Sequence, residues 1–275
     1  MPIGNFIDAI PAETVDAIVD FLRADQTSII NCSTVCSKWL PAARYHLFFE
    51  VTIHPCNLDA FLSLLQSQSP HGTILPYIHR VVLTDIVWSH LDSRSRTNIL
   101  EYCAQFKELM IYQVLFKSFI HVIEVISAFR SLEVLTLDKT WWGSDRGGDE
   151  VTVVSTSLLH LRTLYVRDCN KSDVLEWLLR LHESTRVPAL QNLNLGIVVP
   201  VHFSSIGSFL RRLGSSLLRL QFGFSAMNTT ADASTSDQLR FPFFLPEIEQ
   251  GGFPRTISCR NRPCAQYFAP FHHHR

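Results

Sequence analysis

The chain has 275 residues, of which 47% are hydrophobic and 18% are charged, and its formal net charge is −1. This composition predicts a folded chain with a substantial core and excludes one that is mostly disordered. A net charge so close to zero gives no electrostatic reason to expect binding to nucleic acid or to an anionic membrane.

The first predicted element along the chain is a small helical module. Apolar residues at helical spacing form one stripe on its first helix: Val15, Ile18, Val19 and Leu22. A second apolar set follows, consisting of Ile29, Ile30, Cys32, Val35, Cys36, Trp39 and Leu40. We expect Pro41 to interrupt this second set. A module of this size cannot bury much apolar surface alone, so the surplus should contact a partner or the next domain.

Several residues of this module stand in a characteristic order: Ile10-Pro11-x-Glu13, Ile18, Leu22, Ser28-Ile29, Val35-Cys36-x-x-Trp39 and Ala43-Arg44. In this combination and spacing, residues 6–48 resemble the F-box, a helical module of cullin–RING ubiquitin ligases. The resemblance implies docking to a Skp-type adaptor through Ile10, Pro11, Glu13, Ile18, Leu22, Ile29, Val35 and Trp39. The alternative is an ordinary helical cap in which Trp39 is a core residue.

Residues 49–224 carry a repeated pattern of the form apolar-x-x-apolar-x-apolar. Its copies are Ile78/Val81/Leu83, Phe106/Leu109/Ile111, Leu132/Leu135/Leu137, Leu161/Leu164/Val166, Leu190/Leu193/Leu195 and Leu217/Leu220/Phe222, with Phe48/Val51/Ile53 as a candidate first copy. The first positions of the six main copies are 28, 26, 29, 29 and 27 residues apart by subtraction. That spacing matches the period of about 20–29 residues in leucine-rich repeats. Helices are predicted between the copies at 58–65, 97–104, 119–129, 174–181 and 206–213.

One strand and one helix in each copy predict an α/β fold. We expect a short all-helical F-box followed by a leucine-rich-repeat-like solenoid with one parallel sheet, similar to F-box/leucine-rich-repeat substrate receptors. The leucines expected to be fully buried on its strands are Leu109, Leu135, Leu164, Leu193 and Leu220. The repeats are degenerate, because the Asn or Cys that usually follows the strand is mostly missing and is present only at Cys169-Asn170. A non-repetitive α/β domain is therefore the alternative.

Side chains alternate across a strand, so the residues between the core leucines should form an open face. These residues are Val82, Thr84, Met110, Tyr112, Thr136, Asp138, Tyr165, Arg167, Asn194, Gly196, Gln221 and Gly223. Aromatic and arginine side chains often dominate interfaces, so Tyr112, Asp138, Tyr165 and Arg167 are candidate target-binding residues. Trp141 and Trp142, in a predicted loop at 139–150, are two further candidates, and we expect one of them to cover the edge of the solenoid.

The last segment, residues 225–275, does not continue the repeats. It begins with a small polar stretch, and the part from Phe241 onward holds five of the chain's 13 prolines. We expect a tail of low order, although a truncated or wrongly spliced reading frame would look the same. Cys259, Cys264 and the histidines at 272–274 lack the two fixed ligand pairs of a structural zinc site, so no metal is predicted.

Catalytic signatures are also missing from the sequence. There is no Gly-x-Ser-x-Gly elbow, no signature around a cysteine and no phosphate-binding loop, so we expect neither an enzyme nor a cofactor. No apolar run approaches the ~20 residues of a membrane-spanning helix, and the N-terminus lacks the pattern of a secretory signal. The odd count of seven cysteines suits reduced thiols, which favours the cytoplasm or the nucleus.

These features together predict a non-catalytic substrate receptor. The F-box would bind a Skp-type adaptor and through it the cullin complex, while the repeats would present an unknown protein target. The alternative is a leucine-rich-repeat interaction scaffold that acts outside a ubiquitin ligase.

Overall fold

The computed structural model of the chain describes residues 10–66, 74–143, 158–184 and 190–224. Residues 144–150 of the predicted tryptophan loop and the expected low-order tail at 225–275 lie outside this part. The described chain is a mixed α/β protein whose main sheet has seven parallel strands. None of its described helices is long and apolar enough to cross a membrane.

The chain begins with three helices: α1 (Ala12–Phe21), α2 (Gln26–Val35) and α3 (Leu40–Phe48). Asp25 caps α2, because its Oδ1 accepts hydrogen bonds from the N–H groups of Thr27 at 3.1 Å and Ser28 at 3.2 Å. The prediction that Pro41 interrupts the second apolar set is wrong. Pro41 lies in the first turn of α3, where a proline removes only an N–H that has no partner within the helix.

The remaining elements are strands and helices, with a described helix in every connection of the main sheet except that between β5 and β7. The strands of the main sheet are β1 (Glu50–Ile53), β2 (Arg80–Thr84), β3 (Glu108–Tyr112), β5 (Val134–Asp138), β7 (Thr163–Arg167), β8 (Asn192–Val198) and β9 (Arg219–Phe224). The helices are α4 (Leu58–Gln66), α5 (Ser93–Cys103), α6 (Phe119–Ala128), α7 (Lys171–Ser184) and α8 (Phe203–Leu213). Two short strands, β4 (Leu115–Phe116) and β6 (Trp141–Trp142), form a separate parallel pair.

The seven strands stand side by side in the order in which they occur in the chain. Equivalent repeat positions face each other, so that Leu109 pairs with Leu135 and Leu135 pairs with Leu164. The candidate first copy also supplies a strand, since Val51 of β1 pairs with Val81 of β2. All five of the leucines predicted to lie on strands of one parallel sheet do so.

One face of the sheet packs against the helices and forms the main core. Four of the five leucines predicted to be fully buried lie in it: Leu109, Leu135, Leu164 and Leu193. The fifth prediction is wrong, because Leu220 is only partly buried. Leu220 lies on β9, the last strand of the described sheet, and no described strand covers the outer side of β9.

The predicted helices are all present, with small differences at their ends. The helix predicted at 97–104 begins four residues earlier, at Ser93. Asp92 starts it, because its Oδ1 accepts the N–H of Ser95 at 2.9 Å and its Oδ2 accepts the hydroxyl of Ser95 at 2.8 Å. The capping bonds of Asp92 therefore start the helix at Ser93, even though its first turn contains no apolar residue.

The strands β2, β3, β5 and β7 are each followed by a residue in the left-handed backbone region. These residues are Asp85, Gln113, Lys139 and Asp168, with φ angles of 56°, 53°, 48° and 46°. The N–H of Asp85 bonds to the carbonyl of Tyr112, and the N–H of Gln113 bonds to the carbonyl of Asp138, at 3.3 and 3.1 Å. The same turn thus recurs after successive strands, although the residue at the turning position differs.

Candidate functional site

The three-helix module has a small core of its own. Its buried side chains are Val15, Val19, Ile29, Cys32 and Ala43. Ile29, one of the predicted adaptor contacts, is only 2% exposed and lies in this core. Ile10, Leu22 and Trp39 are partly buried against the same core, which leaves each of them with some accessible surface.

Other apolar side chains of the module point to solvent. Ile18 and Val35, two of the predicted adaptor contacts, are exposed, as are the predicted contacts Pro11 and Glu13. Phe21 is the most exposed of the module's large apolar side chains, at 88%. It lies three residues after Ile18 on α1, so the two are neighbours on the helix surface. Phe21 and the exposed Ile30 were missed from the sequence because neither stands at a position of the F-box pattern.

Ser28, at a position of the F-box pattern, has a structural role at the start of α2. Its hydroxyl donates to Asp25 Oδ2 at 2.6 Å, while its N–H donates to Oδ1 of the same carboxylate. The hydroxyl bond is the larger cause of a lowered Asp25 pKa, and the N–H bond adds to it. The pair caps the start of α2.

The helical module joins the sheet through an aromatic cluster. Tyr45 and Phe49, at the end of α3, lie 5.6 and 5.1 Å from the ring of His79, between ring centres. The backbone reinforces this contact, because the N–H groups of His79 and Arg80 both donate to the carbonyl of Phe49, at 3.0 and 2.9 Å. The module is therefore fixed to the first strands of the sheet.

The second candidate surface is the face of the sheet opposite the helices. Three predicted target-binding residues, Tyr112, Asp138 and Arg167, pair in one row across β3, β5 and β7. The fourth, Tyr165, lies in the adjacent row opposite Thr136. Because neighbouring strands lie about 4.8 Å apart, this row places Tyr112 and Arg167 roughly 10 Å from each other. The structure thus brings all four residues together on one face.

Charged and aromatic side chains interact along this row. Lys139 Nζ lies 5.5 Å from the ring centre of Tyr112, and the Arg167 guanidinium lies 5.6 Å from that of Tyr165. Arg167 Nε lies 3.5 Å from Asp138 Oδ2, an ion pair without hydrogen-bond geometry. Burial raises the pKa of Asp138, and Arg167 opposes that rise.

Two residues expected on the open face are buried there, namely Val82 and Thr136. Thr136 lies between Met110 and Tyr165 in its row, and these larger neighbours cover it. Tyr112, Asp138, Tyr165 and Arg167 are partly accessible on this face, and Gln221 and Gly223, near its edge at β9, are exposed.

The predicted tryptophan loop begins as a strand. Trp141 and Trp142 form β6, in register with Leu115 and Phe116 of β4, so the loop prediction is wrong for these two residues. Thr140 fixes the entry into β6, because its buried hydroxyl donates to the carbonyl of Ile111 at 3.1 Å. Trp141 is half exposed, whereas Trp142 is partly buried and contacts Phe119, with 5.0 Å between the ring centres.

The described residues were also compared with the requirements of metal and nucleophilic sites. They contain no group of three His, Cys, Asp or Glu side chains that could hold a metal ion. Burial raises the pKa of Cys169 to about 12, which disfavours its thiolate. Two Ser–His pairs occur, Ser118–His121 and Ser172–His202, each with 2.8 Å between Oγ and Nδ1. Within the described residues no carboxylate hydrogen-bonds to either ring, as the third member of a triad would.

Comparisons with known proteins add little to this geometry. No protein-family model matches the chain, and no curated protein is significantly similar to it. A solved structure of Chaetomium Mex67:Mtr2 subunits is similar over 60% of this chain and 88% of that chain, at 13% sequence identity and a TM-score of 0.28. A likeness this weak carries no argument about fold or function. The F-box resemblance therefore rests on the residues of the chain itself and stays a prediction.

Proposed function

We propose that the protein is the substrate-recognition adaptor of an SCF-type cullin–RING ubiquitin ligase. In this proposal the helical module is an F-box that binds a Skp-type adaptor. The strand–helix units from β1 onward are a leucine-rich-repeat solenoid that presents a target protein. Other subunits carry out ubiquitin transfer, and this chain contributes by holding the target close to them.

The observation that carries the proposal is the apolar surface left open on the helical module. Ile18 and Val35, at positions of the F-box pattern, are exposed, although other apolar side chains of the module are buried in its core. Phe21 and Ile30 are further exposed apolar side chains of the module. Exposed apolar groups of this size are costly in water unless a partner covers them, and an adaptor protein would do so.

The repeat part of the proposal is supported by three regularities. The strands lie in chain order in one parallel sheet, and equivalent leucines pair across neighbouring strands. A left-handed residue follows each of β2, β3, β5 and β7. A described helix follows each of β1, β2, β3, β7 and β8 before the next strand of the main sheet. Stacked repeats produce this arrangement because each unit can bury its apolar side only against its neighbours.

The adaptor contact is tested with the double variant Ile18→Ala and Val35→Ala. Both side chains are exposed, so the variant should fold normally and its melting temperature should hardly change. We expect co-purification of the Skp-type adaptor to fall by about tenfold or more. The matched control is Ile197→Ala with Val201→Ala, which removes the same two residue types from exposed positions near the other end of the sheet. Unchanged adaptor capture by the Ile18/Val35 variant would refute the proposed docking surface.

The target surface is tested separately with Tyr112, Tyr165 and Arg167 all changed to alanine. Interface tyrosines and arginines often contribute ~2 kcal/mol or more each, so the triple variant should lose its captured targets and keep the adaptor. A chain that never captures the adaptor, but whose captured proteins still depend on these three residues, would instead be an interaction scaffold outside a ubiquitin ligase. A triple variant with an unchanged list of captured proteins would exclude this face as the binding surface.

A further inference from the structure

A cleft of about 120 Å³ lies between the short strand β6 and the start of α7. Its lining residues are Thr140, Trp141, Trp142, Asn170 and Asp173, and we call it the tryptophan cleft. It lies just beyond the end of β5, because Thr140 follows Asp138, the last residue of that strand, by two positions. Two indole rings and one carboxylate in one small cleft combine an apolar surface with a single negative charge.

Asp173 is held in place by neutral donors. Its Oδ2 accepts the indole N–H of Trp142 at 2.7 Å and the amide N–H of Asn170 at 2.9 Å. Both bonds go to the same oxygen, so Oδ1 has no hydrogen bond within the described residues. The ring of Trp142 is itself packed against Phe119. The carboxylate therefore has a fixed position and an oxygen that can accept a further bond.

Asp173 forms no ion pair within 4 Å in the described part of the chain. Asp138, by contrast, has Arg167 as its ion-pair partner. Lys171 precedes Asp173 by two residues on α7, a spacing at which helical side chains do not face each other, and the two form no ion pair within 4 Å. Asp173 acts to raise the pKa of His202. Burial and Lys171 act in the opposite direction and lower that pKa overall, which favours the neutral ring.

An exposed apolar platform is formed by Trp141, one of the lining residues of the cleft, and by Leu115, which pairs with Trp141 in the small sheet. Trp141 is 50% exposed and Leu115, its partner in the register of the small sheet, is 47% exposed. Cations bind favourably over the face of an indole ring, and the aliphatic stem of a lysine or arginine packs well on apolar side chains. A carboxylate beside such a platform matches a cationic group on an aliphatic stem, and its charge disfavours anions.

We propose that the tryptophan cleft binds a lysine or arginine side chain supplied by the target protein. The stem lies on Trp141 and Leu115, and the charged group binds Asp173 Oδ1. The target is thereby defined as one with an exposed basic residue in the segment that reaches the ends of β5 and β7. Only the identity of the supplying protein rests on the proposed function, because cation binding by the cleft is a property of this chain alone.

The test is a titration of the full-length chain, followed by the indole N–H resonances of its tryptophans in two-dimensional NMR. The probes are N-acetyl-arginine amide and N-acetyl-lysine amide, with N-acetyl-norleucine amide as the uncharged control. We expect saturable shifts of the Trp141 and Trp142 resonances, assigned with Trp141→Phe and Trp142→Phe, for the two cationic probes. The Trp39 resonance, from the helical module, should not move.

Asp173→Asn removes the charge and keeps an oxygen that can accept the bonds from Trp142 and Asn170. It should weaken binding of the cationic probes by at least about fivefold, as should raising the salt concentration. Asp85→Asn is the control, since it makes the same change at an aspartate that follows β2 and does not line the cleft. The Asp85→Asn variant should bind the cationic probes with the same affinity as the unchanged chain.

The proposal is overturned if no tryptophan resonance shifts, if the norleucine probe binds equally well, or if Asp173→Asn binds as the unchanged chain does. None of these outcomes bears on the proposed ligase function, which is read from adaptor capture. Loss of adaptor capture would likewise leave the cation site intact.

Discussion

Replacing Leu135 with alanine tests whether the parallel sheet is the central part of the core. Leu135 lies in the middle of β5, is fully buried and pairs with Leu109 on one side and Leu164 on the other. Packed strands on both sides leave little room for the surrounding structure to collapse, so most of the cavity should remain. We expect a loss of about 3 kcal/mol within the range of ~2–5 kcal/mol for such truncations. For a domain of this size that corresponds to a fall in melting temperature of roughly 6–12 °C.

Leu220→Ala is the matched control, with the same change at the same repeat position on the last described strand. Leu220 is only partly buried, so its truncation should cost less than half as much. Chemical denaturation with urea, followed by circular dichroism, gives both free energies of unfolding. The reasoning fails if Leu135→Ala is close to neutral, or if both variants lose the same stability, because burial would then not determine the cost.

Two further predictions concern polar groups of the sheet. Thr140→Val should cost about 1–2 kcal/mol in urea denaturation, because it removes the buried hydroxyl that donates to the carbonyl of Ile111. Thr140→Ser keeps this donor and should cost less. A larger loss for Thr140→Ser than for Thr140→Val would show that packing of the methyl group contributes more than the hydrogen bond. Burial raises the pKa of Asp138 in the folded chain above its unfolded value, so folding takes up a proton between the two values. The contribution of Asp138 to stability should therefore fall as the pH rises from about 4 through the raised pKa, and Asp138→Asn should flatten that part of a plot of melting temperature against pH. Identical pH profiles for the two proteins would contradict the direction of this pKa shift.

The repeated pattern of apolar residues was sufficient to predict the class of fold. An apolar-x-x-apolar-x-apolar segment followed by a helical stretch can bury its apolar side only by stacking on a similar unit, and near-constant spacing predicts a common register. The pairing of Leu109, Leu135 and Leu164 follows directly from that spacing. Strand alternation also placed Tyr112, Asp138, Tyr165 and Arg167 on one face, since a period of two leaves no other choice once the leucines are buried.

Other features depended on contacts between residues that are distant in the chain. The small sheet of β4 and β6 pairs residues 26 positions apart, Leu115 with Trp141, and two-residue strands leave no periodicity in a sequence. The cation-binding geometry arises in the same way, because Asp173 meets Trp142 only after α7 has packed beside β6. Tertiary packing likewise buried Ile29 and left Ile18 exposed, although both are apolar residues at positions of the F-box pattern. Apolar spacing along the chain thus determined which elements form and stack, whereas tertiary packing decided which of their side chains remain available to a partner.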